Sequence, residues 1–229
     1  MDLPDAQMKV RVLSSFEVEA GAADGADAII SIRGTSHGSE RALDLALKQA
    51  SRGESVRLLR LAFDDIGMAW FDHLVGPTMT EVANAIEFGR NVVDGRIFFD
   101  GPVSEPTIAV HCEHGKSRSA AVALALVADQ LGDGREHDAV NALLRDDIEN
   151  RMHPNPLVVS LTDACLFRYG RVEAALAELN PCYRRWRELW RSIATDPDAY
   201  REKGLRAMKW RGDRRLHRAL ACQAYRPPS

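Results

Sequence analysis

Hydrophobic positions along the chain follow two alternating patterns. Short runs rich in Val, Ile and Leu predict four strands, and longer stretches with helical spacing lie between and after them. The predicted strands cover residues 8–15, 27–32, 56–63 and 107–111. Because strands and helices alternate, we predict an α/β fold with a mostly parallel sheet of four to five strands, flanked by helices.

The helical stretches are marked by their ends as well as by their spacing. Thr78 and Glu81 have the spacing of a capping box and predict a helix that ends near Gly95. An alanine-rich helix is predicted over residues 117–131, closed by a glycine. The other predicted helices cover residues 16–25, 40–50, 135–149, 157–167, 171–179 and 181–193. The polar stretch at residues 64–77 is predicted to be a loop.

Charge is distributed unevenly along the 229 residues. Residues 183–229 carry 13 Lys and Arg against 5 Asp and Glu, whereas the residues before them carry 17 against 28. We therefore expect one main domain, residues 1–179, and a basic helical extension rich in Trp and Arg, residues 180–229. Such an extension either docks on the acidic body or binds an anionic partner.

The sequence predicts neither a membrane span nor a secretion signal. The longest apolar run, residues 120–128, is too short to cross a bilayer, and no basic patch precedes an apolar segment near residue 1. Cys112, Cys165, Cys182 and Cys222 show no Cys-x-x-Cys spacing, so we expect neither a zinc site nor a disulfide framework. A cytoplasmic location, with free thiols, is the expectation.

Cys112 follows the last predicted strand and precedes a loop of small and polar residues, Glu113 to Arg118. The first turn of the next helix leaves backbone N–H groups unpaired, and Gly115 lets the loop curl so that several amides converge on one point. Such a loop binds phosphate, and we call residues 113–118 the phosphate loop. The same dipoles favour the thiolate form of Cys112.

The side chains around this loop suit attack on a phosphoryl group. A thiolate at Cys112 that faces a bound phosphate is positioned for in-line attack. The planar guanidinium of Arg118 can hold two equatorial oxygens into the transition state. The Ser119 hydroxyl can donate a hydrogen bond to the sulfur, and Lys116 adds positive charge. The alternative interpretation of Cys112 is a small buried hydrophobic residue.

Residues 111–119, His-Cys-Glu-His-Gly-Lys-Ser-Arg-Ser, resemble the signature loop of the cysteine-dependent phosphatases, the protein tyrosine and dual-specificity phosphatase superfamily. Residues 63–66, Phe-Asp-Asp-Ile, resemble the strand end that carries the general acid of this family. Residues 153–167, which begin with His-Pro-Asn-Pro, resemble a segment found downstream in dual-specificity members. From residue 8 to about residue 178 the arrangement is similar to small bacterial members of the superfamily.

The resemblance implies a phosphatase-type loop between the last strand and the following helix, together with a set of site residues. It implies Cys112 as the nucleophile, Asp65 as the general acid, and Arg118 and Ser119 as their catalytic partners. The implied phosphate-binding residues are Glu113, His114, Gly115, Lys116, Ser117 and Arg118, with Glu113 acting through its backbone N–H. No metal and no cofactor are implied.

Three carboxylates in residues 64–77, a segment that we call the acid loop, are candidates for the proton donor. Asp65 is preferred because it matches the family position, Asp72 is the second candidate because it lies mid-loop, and Asp64 is the third. Asn155 either positions water or the loop, or is a plain turn residue. His111 is expected to be a buried histidine that orders the phosphate loop by hydrogen bonding.

The expected activity is hydrolysis of phosphomonoesters through a cysteinyl-phosphate intermediate, with phosphorylated proteins as substrates. Lys116 and the basic extension leave two other substrate classes open, phosphoinositides and the 5′ phosphates of RNA. A third alternative is a non-catalytic protein that binds phosphorylated partners. The presence of Cys112, Arg118 and Ser119 argues against this alternative.

Overall fold

A computed structural model describes residues 8–36, 40–51, 57–97, 105–145, 147 and 150–202. Within these residues the strands are β1 Lys9–Ser14, β2 Ala28–Arg33, β3 Arg57–Ala62, β4 Trp70–Phe71, β5 Leu74–Val75 and β6 Thr107–Cys112. The helices are α1 Ser15–Glu19, α2 Arg41–Ala50, α3 Met79–Ile97, α4 Arg118–Leu131, α5 Glu136–Leu144, α6 Pro156–Cys165, α7 Arg171–Leu179 and α8 Pro181–Thr195.

The main sheet has four strands in the order β1-β6-β2-β3, and every neighbouring pair is parallel. The predicted α/β fold is therefore confirmed, and each strand of this sheet ends within two residues of its predicted bounds. Strand β6 lies between β1 and β2, so its carboxyl end is flanked on both sides. Ligands of open parallel sheets bind at this edge.

Successive residues of β6 point to opposite faces of the sheet, as the pleat of a strand requires. Ile108, Val110 and Cys112 belong to a large core that includes residues of α3 to α7, whereas Ala109 belongs to a smaller core with residues of α1 and α2. Both faces are thus covered, which explains why the strand is apolar throughout. By the same alternation, His111 and Cys112 point to opposite faces.

Helix α4 is enclosed within the large core. It packs against α3, α5, α6 and the strands β1 and β6, and most of its side chains are buried. Its alanines are small enough to let the neighbouring elements approach closely. The first residue of the helix, Arg118, is held by this packing next to the end of β6.

Three predicted segments differ from the structure. The helix predicted over residues 135–149 ends at Leu144, and residues 146, 148 and 149 lie outside the described residues. Residues 64–77 contain the antiparallel hairpin β4–β5 and are not simply a loop, and Asp72 occupies its turn with a φ of 55°. The helix predicted over residues 16–25 ends at Glu19, because Gly21 and Gly25 adopt left-handed backbone angles that an α-helix does not allow.

The contacts of the chain divide it into two units, residues 1–190 and residues 191–229. Residues 181–190 of α8 belong to the first unit, where Tyr183 is fully buried and Arg187 forms an ion pair of 3.1 Å with Glu173. The division into a phosphatase domain and an extension at residue 180 stays a prediction. Trp210, Cys222 and Tyr225 of that extension lie outside the described residues.

None of the described helices is long and apolar enough to cross a membrane.

Candidate active site

Cys112 is the last residue of β6 and lies where the strand leaves the sheet. Its side chain is 2% exposed, and its Sγ lies 3.1 Å from the Oγ of Ser119 in the first turn of α4. When the sulfur is ionised, Ser119 is the donor of this hydrogen bond, because a thiolate carries no hydrogen. The structure thus brings two of the predicted catalytic residues into contact.

The backbone of the phosphate loop is oriented by donors that surround it. Three of its carbonyl groups accept hydrogen bonds: Glu113 from the N–H of Ser15 (3.3 Å), Lys116 from the N–H of His153 (3.0 Å) and Ser117 from the N–H of Asn155 (3.2 Å). A trans peptide holds its C=O and N–H on opposite sides. The N–H groups of His114, Ser117 and Arg118 therefore point away from these donors, which leaves them available to an anion.

Gly115 is required by the shape of this loop. Its φ is +68°, in the left-handed region, and a Cβ atom here would lie 2.8 Å from the backbone nitrogen of Ser14. Both the backbone angle and the close approach of β1 exclude a larger residue. The predicted curl of the loop at Gly115 is present.

Arg118 is buried, with 5% of its surface exposed, and its guanidinium is only partly used by the protein. Nη1 donates to the carbonyl oxygen of Phe63 at 3.1 Å, and Nη2 lies 3.7 Å from a carboxylate oxygen of Glu113. Nε is buried and has no hydrogen-bond partner among the described residues. An unpaired N–H on a buried cation is unfavourable, so this atom is available to an anionic ligand.

A cleft lies at the end of β6, with Cys112 among the residues that line it. It is lined by Ser15, Ile32, Arg33, Gly34, Glu40, Leu43, His111, Cys112, Glu113 and Arg118. The cleft thus joins the ends of β2 and β6 to the start of α2 and α4. Its position at the carboxyl edge of the sheet is that expected of a ligand site.

His111 is almost fully buried behind the phosphate loop. Burial, the largest effect, and the positive charges of Arg33 and Arg118 lower its pKa to about 4, and an opposing contact with the backbone of Cys112 only partly offsets them. The ring is therefore neutral at pH 7. Neither ring nitrogen has a well-formed hydrogen bond to a described residue, so the predicted ordering of the loop by His111 stays a prediction.

Asp65, the preferred candidate for the acid, is tied to the phosphate loop. Its Oδ1 accepts hydrogen bonds from the Ser117 hydroxyl at 2.6 Å and from the Asn155 side-chain amide at 2.9 Å. Because Oδ1 accepts both hydrogen bonds, Oδ2 is the oxygen that is left to carry a proton. This carboxylate is half-buried.

Asp64 has a different environment although it is the adjacent residue. Its carboxylate is buried and accepts hydrogen bonds from the hydroxyl and N–H of Thr35 and from the N–H of Val75. Burial alone raises the pKa of Asp64, but these hydrogen bonds and the charge of Arg118 outweigh it and lower the pKa below its ordinary value. Asp64 therefore closes the acid loop as an ionised group.

The remaining predicted residues are more exposed. Asp72 is exposed at the hairpin turn, and His114 is exposed with its ring 3.7 Å from the carboxylate of Glu113. Lys116 is half-buried. The three candidates for the acid thus differ in kind: one contacts the phosphate loop, one is a structural anion and one occupies a turn.

Asn155 is the residue whose importance the sequence left open. It is completely buried, and its amide nitrogen donates both to Asp65 and to the carbonyl oxygen of Ile66. Its amide oxygen accepts from the N–H groups of Leu157 and Val158, which caps α6. The signal in the sequence was the Asn-Pro pair, which is typical of a helix start.

No protein-family model matches the chain, and no curated protein matches it. Several solved structures do match. PTPMT1 in complex with PI(5)P has 14% sequence identity and a TM-score of 0.41, and the match covers 76% of this chain and 98% of that one. Human DUSP28 has 17% identity and a TM-score of 0.42, over 76% and 96% of the two chains. A phosphatase domain and a dual specificity phosphatase are also among the matches.

The assignment of the site depends on the chain's own residues.

Proposed function

We propose that the chain is a cysteine-dependent phosphatase that hydrolyses phosphomonoesters through a cysteinyl-phosphate intermediate. The observation that carries the proposal is the buried guanidinium of Arg118, whose Nε has no partner among the described residues, beside the phosphate loop and in the cleft that Cys112 also lines. A loop that presents N–H groups, a buried cation and a nucleophile together is suited to a phosphoryl group.

In the first step the thiolate of Cys112 attacks phosphorus, a sulfur–phosphorus bond forms, and the bond to the leaving oxygen breaks. Arg118 and the N–H groups of the phosphate loop stabilise the charge on the equatorial oxygens. The leaving oxygen takes a proton from Oδ2 of Asp65. The hydrogen bonds to Oδ1 from Ser117 and Asn155 support the orientation of this carboxyl group.

In the second step water attacks phosphorus, and Asp65, now ionised, accepts a proton from this water. The sulfur–phosphorus bond breaks, inorganic phosphate forms, and the sulfur leaves as a thiolate. A hydrogen bond from the Ser119 hydroxyl to Sγ, at 3.1 Å, stabilises that leaving thiolate.

Phosphorylated proteins, carrying phosphotyrosine or phosphoserine and phosphothreonine, are the proposed substrates. The support is the dual-specificity type of residues 111–119 and the Pro-Asn-Pro start of α6. Phosphoinositides and RNA 5′ phosphates share the same phosphoryl chemistry, and rates on a panel of the three substrate classes distinguish them.

Steady-state turnover of p-nitrophenyl phosphate tests the proposal. The wild-type chain is expected to release p-nitrophenol, and Cys112→Ser is expected to release none, because a serine hydroxyl in this place is not ionised. Cys165→Ser is the matched control, since Cys165 is also a free thiol but lies at the end of α6, and it should retain the wild-type rate.

Absence of turnover by the wild-type chain over a wide pH range would contradict the proposal. If such an inactive chain still bound vanadate or phosphate, it would be a non-catalytic phosphate-binding protein. Equal rates for the wild type and Cys112→Ser would show that another group is the nucleophile.

A further inference from the structure

Helix α8 contacts the acid loop through the side chain of Trp190. The rings of Phe71 in the hairpin and Trp190 in α8 meet edge to face, with centroids 6.5 Å apart. Trp190 meets Trp186 in the same way at 5.8 Å, and Trp186 meets His153 at 5.4 Å. These four residues form a continuous series of edge-to-face contacts, which we call the aromatic row. Such contacts stabilise beyond the area that they bury.

Trp190 also packs against the backbone of the acid loop. A Cβ atom at Gly67 would overlap Cγ of Trp190, so the indole occupies the space that any side chain at this position would need. Gly67 is two residues beyond Asp65. Close packing of a large buried ring against the main chain prevents the loop from moving toward α8.

The other end of the aromatic row leads to the phosphate loop. The backbone N–H of His153 donates to the carbonyl oxygen of Lys116 at 3.0 Å. Two residues further, Asn155 donates from its side chain to Asp65 and from its backbone to Ser117. Trp190 and Trp186 therefore contact both the loop that carries the candidate acid and the segment that holds it against the phosphate loop.

From this arrangement we infer that Trp190 and Trp186 are positioning residues for Asp65. They hold the acid loop against the phosphate loop before substrate binds, so that the carboxyl group is in place when the leaving oxygen needs a proton. The inference rests on the proposed function. It assigns a catalytic purpose to residues 181–190, which the sequence indicates only as part of a basic extension.

Loosening this packing is expected to impair proton donation more than oxyanion binding. A general acid must be within hydrogen-bond reach of the leaving oxygen, and a misplacement of about 1 Å reduces the rate by about 10²-fold. In the proposed mechanism, binding of an oxyanion depends on the phosphate loop and Arg118, and the aromatic row is joined to this loop by the backbone hydrogen bond from His153 to Lys116. Leaving groups that need no proton should be affected little.

Four variants test the inference: Trp190→Ala, Trp190→Phe, Gly67→Ala and Leu189→Ala. The first removes the ring and the second restores an aromatic ring. Gly67→Ala disturbs the same contact from the side of the loop, and Leu189→Ala is the matched control on the exposed part of α8. For each variant, kcat is measured on a series of aryl and alkyl phosphates, the dissociation constant for vanadate is measured, and thermal unfolding reports folding.

We expect Trp190→Ala and Gly67→Ala to lower kcat by roughly tenfold or more for alkyl phosphates and much less for p-nitrophenyl phosphate. Vanadate affinity should stay close to that of the wild type, and Trp190→Phe should recover most of the loss. An equal fall for all leaving groups, or a parallel loss of vanadate affinity, would overturn the inference and assign a structural role to Trp190. Unchanged rates in both variants would also overturn it.

These outcomes differ from a failure of the proposed function. If the wild-type chain turns over no phosphate ester, the proposed function is wrong. If the wild type is active and Asp65→Asn shows the loss for poor leaving groups, but Trp190→Ala does not, the inference alone is wrong.

Discussion

The phosphate loop and the acid loop meet through Ser117 and Asp65, but they are held in different ways. The phosphate loop is formed by a contiguous stretch between β6 and α4, and its shape depends on one glycine and on carbonyl groups that face outward. The acid loop is held by side chains from distant parts of the chain: Thr35 after β2, Asn155 before α6, and Trp190 in α8.

The two loops are therefore expected to respond differently to mutation. In the proposed mechanism, recognition of an oxyanion requires a short segment and its arginine, so single substitutions there should abolish binding and turnover together. Proton donation requires several remote contacts, so substitutions there should reduce the rate and leave binding intact.

Arg118→Lys tests the phosphate-loop side most directly. A lysine ammonium is a point charge and cannot replace the planar fork, so we expect kcat/KM for p-nitrophenyl phosphate to fall about 10³-fold. Vanadate affinity should fall with it. Arg90→Lys is the matched control, because Arg90 is an exposed arginine paired with Asp129 on another part of the surface. Near-normal vanadate affinity in Arg118→Lys would contradict the assigned role.

Asp65→Asn tests the acid-loop side. The amide keeps the size of the carboxyl group but donates no proton to an alkoxide, so we expect kcat for alkyl phosphates to fall about 10²-fold while vanadate still binds. The loss should shrink as the leaving group becomes a better one. Asp72→Asn serves as the comparison, and if that variant shows the loss instead, the hairpin residue is the acid.

His111 makes the stability of the folded chain depend on pH. The pKa of His111 is about 4 in the folded chain and 6.5 in the unfolded chain, so the unfolded chain takes up the proton first as the pH falls. The free energy of unfolding should therefore decrease by about 2 kcal/mol between about pH 7 and about pH 5 from this group alone. Urea unfolding of the wild type and of His111→Gln at both pH values checks this, and an equal pH dependence in both chains would refute it.

Asp64→Asn tests whether Asp64 and Asp65 have different roles. Loss of the carboxylate weakens its hydrogen bonds with Thr35 and Val75, and we expect the free energy of unfolding at neutral pH to fall by about 1–2 kcal/mol. Because the pKa of Asp64 is lowered in the folded chain, its contribution should be present at neutral pH and lost in acid. Asp65→Asn should show a smaller stability change. A stable Asp64→Asn chain that had lost proton donation would reverse the assignment.

The phosphate loop could be predicted from the sequence because its signals lie in one stretch of chain, although the N–H donors that hold its carbonyl groups come from Ser15, His153 and Asn155. The apolar run before Cys112, the glycine three residues after it and the alanine-rich helix that follows are all visible in one stretch of chain. The contact between Cys112 and Ser119 then follows from a strand that leads directly into a helix. The parallel sheet was predictable for the same reason, since each of its strands has its own apolar signal.

The acid loop could be predicted only in part. The position of the acid loop and the preference for Asp65 were predicted from a resemblance over residues 63–66. The β4–β5 hairpin was not predicted, because strands of two residues have no periodic signal. The contacts of Thr35, Asn155 and Trp190 with the loop join residues that are far apart in sequence. Spacing within one segment carries no information about such contacts.

Asn155 has a consequence that reaches beyond the chemistry of a single turnover. Its one amide group caps α6 and donates hydrogen bonds to Asp65 and to the carbonyl oxygen of Ile66. Because the same group makes all these bonds, any replacement that moves Asp65 also removes a helix cap. A change in the position of Asp65 that spares the fold therefore has to come from a residue other than Asn155, on the α8 side of the acid loop.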